Sequence, residues 1–180
     1  MPFPRARNAA VPSPDACRER ALRLLEQRPH AVAELRRKLV QRGFTPGTVD
    51  PILADLQRLG LLNDEAVARD ACAAALRGTA ALGRNRILMH LRRHGIDSDV
   101  AESAIREASA EAGTPGELER AVIAGRAKLR LLAREADPRK RRDKLARFLI
   151  GRGFAPATVW QAVDRLTASA ASDEPSTDSE

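Results

Sequence analysis

Two apolar residues and a glycine, each four residues apart, form a motif that occurs three times along the chain. The three copies are Leu35, Leu39 and Gly43, then Ile87, Leu91 and Gly95, then Leu145, Leu149 and Gly153. A spacing of four places both apolar side chains on the same face of a helix. Glycine readily takes the left-handed conformation that closes a helix. Each copy, which we call a helix-closing motif, therefore predicts a helix that ends at its glycine.

The residues around each motif predict two more helices. An apolar residue follows each glycine and can pack back on the last helical turn; these residues are Phe44, Ile96 and Phe154. The next residues favour a new helix start, at Thr45-Pro46, Asp97-Ser98 and Ala155-Pro156. A further helix is expected before each motif, over residues 15–27, 64–76 and 117–134. The pattern thus predicts nine helices in three sets of three, with no strand.

The sequence around the motif repeats as well. RGFTPGTV at Arg42–Val49 and RGFAPATV at Arg152–Val159 share six of their eight residues, and the motif glycines are 52 and 58 residues apart. Because one copy alone has a thin core, the copies must stack. We therefore predict an all-α fold of three tandem three-helix repeats that form a curved, elongated, solenoid-like array. The predicted parts are a disordered N-terminal arm at 1–14, repeats at 15–62, 63–112 and 113–167, and a disordered acidic tail at 168–180.

Composition agrees with a helical protein of the cytoplasm. Aromatic residues make up 3% of the chain, so the core is expected to be aliphatic and rich in the good helix formers leucine and alanine. Cys17 and Cys72 stand alone and predict neither a disulfide nor a zinc site, which favours a reducing compartment. No apolar stretch is long enough to predict a membrane span, and the N-terminus lacks a signal-peptide pattern.

Residues with catalytic or metal-binding potential do not group into a known kind of site. His90 and His94 lie four apart on one predicted helix, but no third metal ligand and no HExxH glutamate accompanies them. We interpret them as a solvated or phosphate-facing pair, and His30 as a local residue at a helix start. The chain also lacks Walker-type and GxSxG motifs. The sequence therefore predicts a protein that is not an enzyme and holds no metal or cofactor.

Positive charge is concentrated on the helices that carry the motif. The chain has a formal net charge of +7, which suits a polyanionic partner. The candidate nucleic-acid-binding residues are Arg36, Arg37, Arg42, Arg84, Arg86, Arg92, Arg93, Arg141, Lys144 and Arg147. Five of them point away from the apolar face of their helices and form what we call the basic strip: Arg37, Arg86, Arg93, Lys144 and Arg147. The alternative is an ordinary solvated helix face.

Few aromatic side chains are present to stack on nucleic-acid bases. The aromatic residues are Phe3, Phe44, Phe148, Phe154 and Trp160. Trp160 falls where the other copies carry Asp50 and Glu102, and it is either an exposed protein contact or a cap on the end of the array. Because binders of free single strands use aromatic platforms, phosphate contact within a larger protein–nucleic-acid assembly fits this chain better.

Five segments of the chain combine in a specific order and spacing: ALRLL at Ala21–Leu25, ELRRKLVQRGF at Glu34–Phe44, LGLLNDEAVAR at Leu59–Arg69, LGRNRILMHLRRHGI at Leu82–Ile96 and KLARFLIGRGF at Lys144–Phe154. Together they make the chain similar to the RecX family of recombination regulators. The resemblance implies three tandem three-helix repeats. It also implies binding to the RecA filament on single-stranded DNA, with modulation or inhibition of RecA's ATP hydrolysis and strand exchange. Val67 and Leu82 depart from the family pattern, which often has an aromatic at the first position and a lysine or arginine at the second.

Two other functions fit part of the pattern. A three-helix unit with a basic helix resembles a helix-turn-helix domain, so a sequence-specific DNA-binding protein is one alternative. Such proteins use one recognition helix and usually dimerise, whereas the charge here repeats along a chain that we expect to be a monomer. A protein–protein scaffold is the other alternative. We expect a non-catalytic regulator of homologous recombination and DNA repair that contacts RecA and the phosphate backbone of DNA.

Overall fold

A computed structural model describes residues 13–77, 80–111 and 113–172 of the chain, with side chains described as far as residue 168. These residues form nine α-helices and no strand. The helices are α1 (Pro14–Gln27), α2 (Val32–Gln41), α3 (Pro46–Arg58), α4 (Asp64–Ala75), α5 (Arg84–Arg93), α6 (Ser98–Ala110), α7 (Glu117–Leu131), α8 (Pro138–Gly151) and α9 (Pro156–Ser172). The all-α fold predicted from the sequence is confirmed.

The three motif helices, α2, α5 and α8, close as the motif predicts. Gly43, Gly95 and Gly153 have φ angles of 92°, 82° and 84°, in the left-handed region that glycine favours. At the end of α2 the Phe44 N–H donates to the Leu39 carbonyl at 3.3 Å, a bond that satisfies one of the helix's terminal carbonyls. The apolar residue after each of the three glycines is buried, as predicted.

The third helix of each set also starts where the sequence predicts. Thr45 caps α3 by accepting a hydrogen bond from the Thr48 N–H at 3.3 Å. Asp97 caps α6 by accepting from the Asp99 N–H at 2.8 Å. In α9 the start is Pro156, whose fixed φ is compatible with the first helical turn.

Two helix ends differ from the prediction by more than one residue. α7 ends at Leu131 rather than at 134, and the Glu135 carbonyl beyond it accepts two hydrogen bonds from the Arg141 guanidinium, at 2.8 and 3.1 Å. These two hydrogen bonds stabilise the loop that follows Leu131, whereas the sequence pattern predicted that the helix continues to residue 134. α9 runs to Ser172, so residues 168–172 are helical although the sequence predicted a tail from 168. Alanine, the strongest helix former, is the commonest residue in that stretch.

Most residues of the predicted N-terminal arm and C-terminal tail lie outside the described part of the chain. Only the last two residues of the predicted arm are described: Ser13 caps α1 and Pro14 begins it. The rest of the arm, at 1–12, and the part of the tail at 173–180 are outside the described residues. The predicted repeat boundaries stay a prediction.

The described chain divides into two compact units. The first runs to Val67 and includes His94–Ile96, whereas the second comprises Ala68–Arg93 and continues from Asp97. The core of the first unit is mainly aliphatic, with leucines of α2 and α3 packed with Cys17, Ala21 and Leu24 of α1. The second unit has an equivalent core in which α8 and α9 supply the larger side chains and α7 supplies alanines.

Both cysteines lie in the interior of the protein. Cys17 and Cys72 are free thiols, and both are buried. Burial raises the pKa of the Cys72 thiol to about 11 and also raises the pKa of Cys17. Neither group is therefore a reactive thiolate at neutral pH.

In the second unit, two glycines let main-chain segments touch. The Gly83 N–H donates to the Arg152 carbonyl at 2.9 Å, and the Gly153 carbonyl accepts from the Asn85 N–H at 3.1 Å. A Cβ atom added to Gly153 would lie 2.3 Å from the main-chain nitrogen of Arg86, far inside van der Waals contact. The start of α5 is thus hydrogen-bonded to the turn between α8 and α9, and a side chain on Gly153 would push them apart.

Candidate nucleic-acid interface

The basic residues of α2 divide into paired and unpaired side chains. Arg36 makes a bidentate ion pair with Asp50 of α3, with nitrogen–oxygen distances of 2.7 and 3.1 Å. The hydrogen bond from Arg36 lowers the pKa of the Asp50 carboxyl. Arg37 and Arg42 are exposed and make no ion pair or side-chain hydrogen bond within the described residues. These two can reach an external acceptor without giving up an internal one.

The same division holds on α5. Arg84 lies 3.0 Å from the Glu102 carboxylate of α6, so this predicted binding residue already has an acidic partner. Arg86, Arg92 and Arg93 are exposed, and in the part of the chain that the structure describes none of them makes an ion pair. Three of the four predicted arginines of α5 are therefore available to an anionic partner.

On α8, two of the three predicted binding residues contact groups of the protein outside this helix. Lys144 forms an ion pair with Glu135, and this contact lowers the pKa of the Glu135 carboxyl. Arg141 donates to the main-chain carbonyl of that same glutamate. Arg147 is exposed, and its Nε donates only to the Asp143 carbonyl in its own helix, at 3.3 Å. Of the three, Arg147 alone has no partner outside its helix among the described residues.

Six of the ten predicted residues are therefore exposed and without an acidic partner in the described parts of the chain. These, which we call the unpaired arginines, are Arg37, Arg42, Arg86, Arg92, Arg93 and Arg147. The basic strip keeps four of its five members in this set, all but the ion-paired Lys144. That the basic strip forms one continuous surface across the three copies stays a prediction.

Trp160 of α9 is 47% exposed. At the equivalent positions of α3 and α6 stand Asp50 and Glu102, and each pairs with an arginine of the preceding helix. A tryptophan cannot form such a pair, so the third copy presents an exposed aromatic ring where the other two present ion pairs. A contact of this ring with a partner protein stays a prediction.

Glu34 of α2 is a buried carboxylate that the sequence did not lead us to single out. Its side chain is 4% exposed and contacts the Arg28 guanidinium, the Lys38 Nζ at 3.1 Å and the His94 Nδ1 at 3.2 Å. Burial alone would raise the pKa of Glu34, but hydrogen bonds from the three partners outweigh it and lower the pKa to about 2. The group is therefore ionised at neutral pH and ties together parts of the first unit that are distant in sequence.

The interpretation of His94 as solvated or phosphate-facing is wrong, since its Nδ1 faces the Glu34 carboxylate. His30 is buried beside this cluster: its Nδ1 donates to the Arg28 carbonyl at 2.8 Å and its Nε2 accepts from Lys38 Nζ at 2.7 Å. Burial lowers the pKa of His30, so the ring is neutral at pH 7. The four-residue spacing of His30, Glu34 and Lys38 is the sequence signal that could have revealed the cluster.

His90 lies exposed on α5. Among the described residues, no group of three or more histidine, cysteine, aspartate or glutamate side chains is placed to hold a metal ion. Within the same residues, none of the helices combines the length and apolar character that crossing a membrane requires.

Two family models match the chain at its two ends. The model described as RecX, first three-helix domain, matches residues 17–56, from α1 to α3. The model described as RecX, third three-helix domain, matches residues 116–163, from α7 to α9. Both matches begin at the first helix of a predicted repeat and reach its third helix.

Curated relatives and a crystal structure agree with these matches. The regulatory protein RecX of Prosthecochloris aestuarii is 33% identical over 147 residues, 82% of this chain and 91% of the relative. The regulatory protein RecX of Deinococcus radiodurans is 31% identical over 162 residues, 90% of this chain and 74% of the relative. The crystal structure of RecX from Lactobacillus salivarius has the same fold, with a TM-score of 0.70 at 20% identity, over 86% of this chain and 97% of that one. The chain therefore belongs to the RecX family.

Proposed function

We propose that the chain regulates homologous recombination by binding the filament that RecA forms on single-stranded DNA, and that it slows RecA's ATP hydrolysis and strand exchange. Membership of the RecX family supports the regulatory role. The observation that carries the mode of binding is the set of unpaired arginines, which occurs on α2 of the first unit and on α5 and α8 of the second.

The unpaired arginines are suited to phosphate. A guanidinium presents donors in a rigid fork, and charge-assisted hydrogen bonds to phosphate oxygens are among the stronger ones that proteins make. Such contacts are independent of base sequence, as a regulator of a filament on arbitrary DNA requires. The chain acts as a monomer in the cytoplasm and uses no cofactor. It changes RecA's activity by occupying the filament rather than by a reaction of its own.

The distribution of the unpaired arginines argues against the helix-turn-helix alternative. Sequence-specific domains of that class place one recognition helix in the major groove. Here three helices in two compact units each carry at least one unpaired arginine. This distribution favours contacts with a nucleic-acid backbone over base readout by one helix.

We expect Arg86→Gln combined with Arg93→Gln to weaken inhibition of RecA. Both side chains are exposed on α5, so the change removes two phosphate contacts without opening the core. The concentration that gives half-maximal inhibition of RecA's DNA-dependent ATPase should rise by about a hundredfold or more, since each of the two lost hydrogen bonds to a charged group contributes about 1.5 kcal/mol or more. Its salt dependence should fall by roughly 1.4 in logarithmic slope, about 0.7 for each single-strand phosphate.

The matched control is Arg58→Gln combined with Arg106→Gln. These arginines lie exposed on α3 and α6, and their loss changes the net charge by the same amount. The control should inhibit RecA as the unaltered protein does, and thermal melts of both variants should agree with it to within a few degrees. Equal weakening in the two variants would mean that net charge, and not the position of the arginines, governs binding.

A further inference from the structure

A groove with cationic walls runs between α1 and the end of α2 in the first unit. It consists of two adjoining cavities, of about 250 and 350 Å³, that share Arg20 and Arg42 as lining residues. Arg23 lines the first cavity, and Lys38 lines the second together with the amides of Gln27 and Gln41. On α1 the lining positions recur every three or four residues from 16 to 27, so one helix face forms this wall over roughly 16 Å.

The cationic side chains of this groove differ in whether they already pair with a carboxylate. Arg23 pairs with Glu19 in its own helix at 2.5 Å, and Lys38 pairs with the buried Glu34. Arg20 and Arg42, by contrast, make no ion pair and no side-chain hydrogen bond within the described residues. The two arginines common to both cavities are therefore the ones without an internal acceptor.

Arg20 adds a second and independent indication. Its Nε is buried and has no hydrogen-bond partner among the residues that the structure describes, although the side chain is only half-buried as a whole. A desolvated donor without an acceptor is costly for a charged group. An anion in the groove would give the Arg20 guanidinium an acceptor and so offset this cost. Arg42 would contribute a second positive charge beside it.

We propose that this groove binds the phosphodiester backbone of single-stranded DNA, with Arg20 and Arg42 donating to phosphate oxygens. The proposal rests on the proposed function, which places such a strand within reach of the protein. Apart from the Glu19 carboxylate, which pairs with Arg23, the charged and polar lining of the groove consists of cations and amides, and its one aromatic lining residue, Phe44, is buried. It can therefore hold a backbone without stacking on bases, unlike the single-strand binders that use aromatic platforms. Arg20 extends the interface to α1, a helix to which the sequence analysis assigned no binding residue.

Fluorescence anisotropy with a dye-labelled oligonucleotide of mixed sequence, without RecA, tests the groove directly. Arg20→Gln and Arg42→Gln should each weaken binding by about tenfold and lower the logarithmic salt slope by roughly 0.7. Arg58→Gln is the matched control, because that arginine is exposed on α3 of the same unit and away from the groove lining. It should bind within about twofold of the unaltered protein. Groove variants that bind DNA like this control would overturn the proposal.

A spectroscopic measurement on the unaltered protein covers the case in which a variant fails to fold. The Arg20 Nε–H resonance should shift when the oligonucleotide is added, and should shift less at equal phosphate concentration with inorganic phosphate. A resonance that stays unmoved by DNA, or that responds to polyglutamate but not to DNA, would refute a phosphodiester site. The second result would indicate an acidic protein segment as the occupant.

RecA ATPase assays separate this proposal from the proposed function. If the unaltered protein inhibits RecA while the groove variants bind bare DNA normally, the groove proposal fails and the regulatory role stands. If the unaltered protein neither binds the filament nor alters the ATPase rate, the proposed function fails. The oligonucleotide and resonance measurements still decide the groove in that case, because neither of them involves RecA.

Discussion

Gly153→Ala is expected to destabilise the second unit by about 3 kcal/mol or more. An alanine there must adopt the left-handed conformation, at a cost of about 1–2 kcal/mol. Its Cβ would also lie 2.3 Å from the main-chain nitrogen of Arg86, and forced overpacking of this kind costs a further 1–3 kcal/mol or so. Relief of the clash would break the hydrogen bond between Asn85 and the Gly153 carbonyl. Trp160 is the only tryptophan and lies in the second unit, so its fluorescence in a urea titration measures the loss.

Gly43→Ala is the control for the clash. Gly43 has nearly the same φ, but a Cβ at that position meets nothing within 4 Å. We expect it to cost about 1–2 kcal/mol, the conformational part alone, measured by circular dichroism. If both substitutions cost the same, the close approach at Gly153 does not constrain the second unit.

Glu34→Gln should destabilise the first unit by about 3 kcal/mol at pH 7. The pKa of Glu34 is about 2 in the folded protein, against a reference value of 4.5 for an unperturbed glutamate, and each unit of difference corresponds to about 1.4 kcal/mol. The glutamine keeps the shape but leaves Arg28, Lys38 and His94 without their common anion. Urea titrations followed by circular dichroism give the free energy of unfolding.

The pH dependence has a defined sign. Because the folded state lowers the pKa of Glu34, its stabilising contribution is fully present above about pH 4.5. It declines as the pH falls and is lost near pH 2, where the folded form also becomes protonated. The difference in stability between the unaltered protein and Glu34→Gln should therefore shrink over that range. Glu19→Gln, which removes an exposed ion pair, should cost less than about 1 kcal/mol at any pH. A difference for Glu34→Gln that stays constant down to pH 2 would contradict the buried-carboxylate account.

The helices were predictable because their signals are local. Two apolar residues and a glycine at spacings of four mark both the buried face and the end of a helix. The structure has those ends at Gly43, Gly95 and Gly153, each with positive φ. The prediction failed at the end of α7, where the Glu135 carbonyl is held by Arg141. No periodicity in the sequence reports a hydrogen bond of that kind.

The candidate interface was predictable only in part, because the charge state of a surface depends on tertiary partners. Arg36 and Arg37 are adjacent and chemically identical, yet only Arg36 meets an acid, Asp50, at 2.7 Å. The His94 contact with Glu34 joins residues 60 positions apart, a distance over which helical spacing gives no information. Sequence can thus place a basic residue on the outer face of a helix, but only the fold shows whether an acid already neutralises it.

The central claim is that the partner is the RecA filament rather than DNA alone. The direct measurement is the binding of dye-labelled protein to RecA-coated single strands, bare single strands and duplex of equal length, at one salt concentration. The account predicts the tightest binding to the coated strand, because RecA and the DNA phosphates both contribute contacts there. Equal affinity for coated and bare strands, or tighter sequence-dependent binding to duplex, would contradict it.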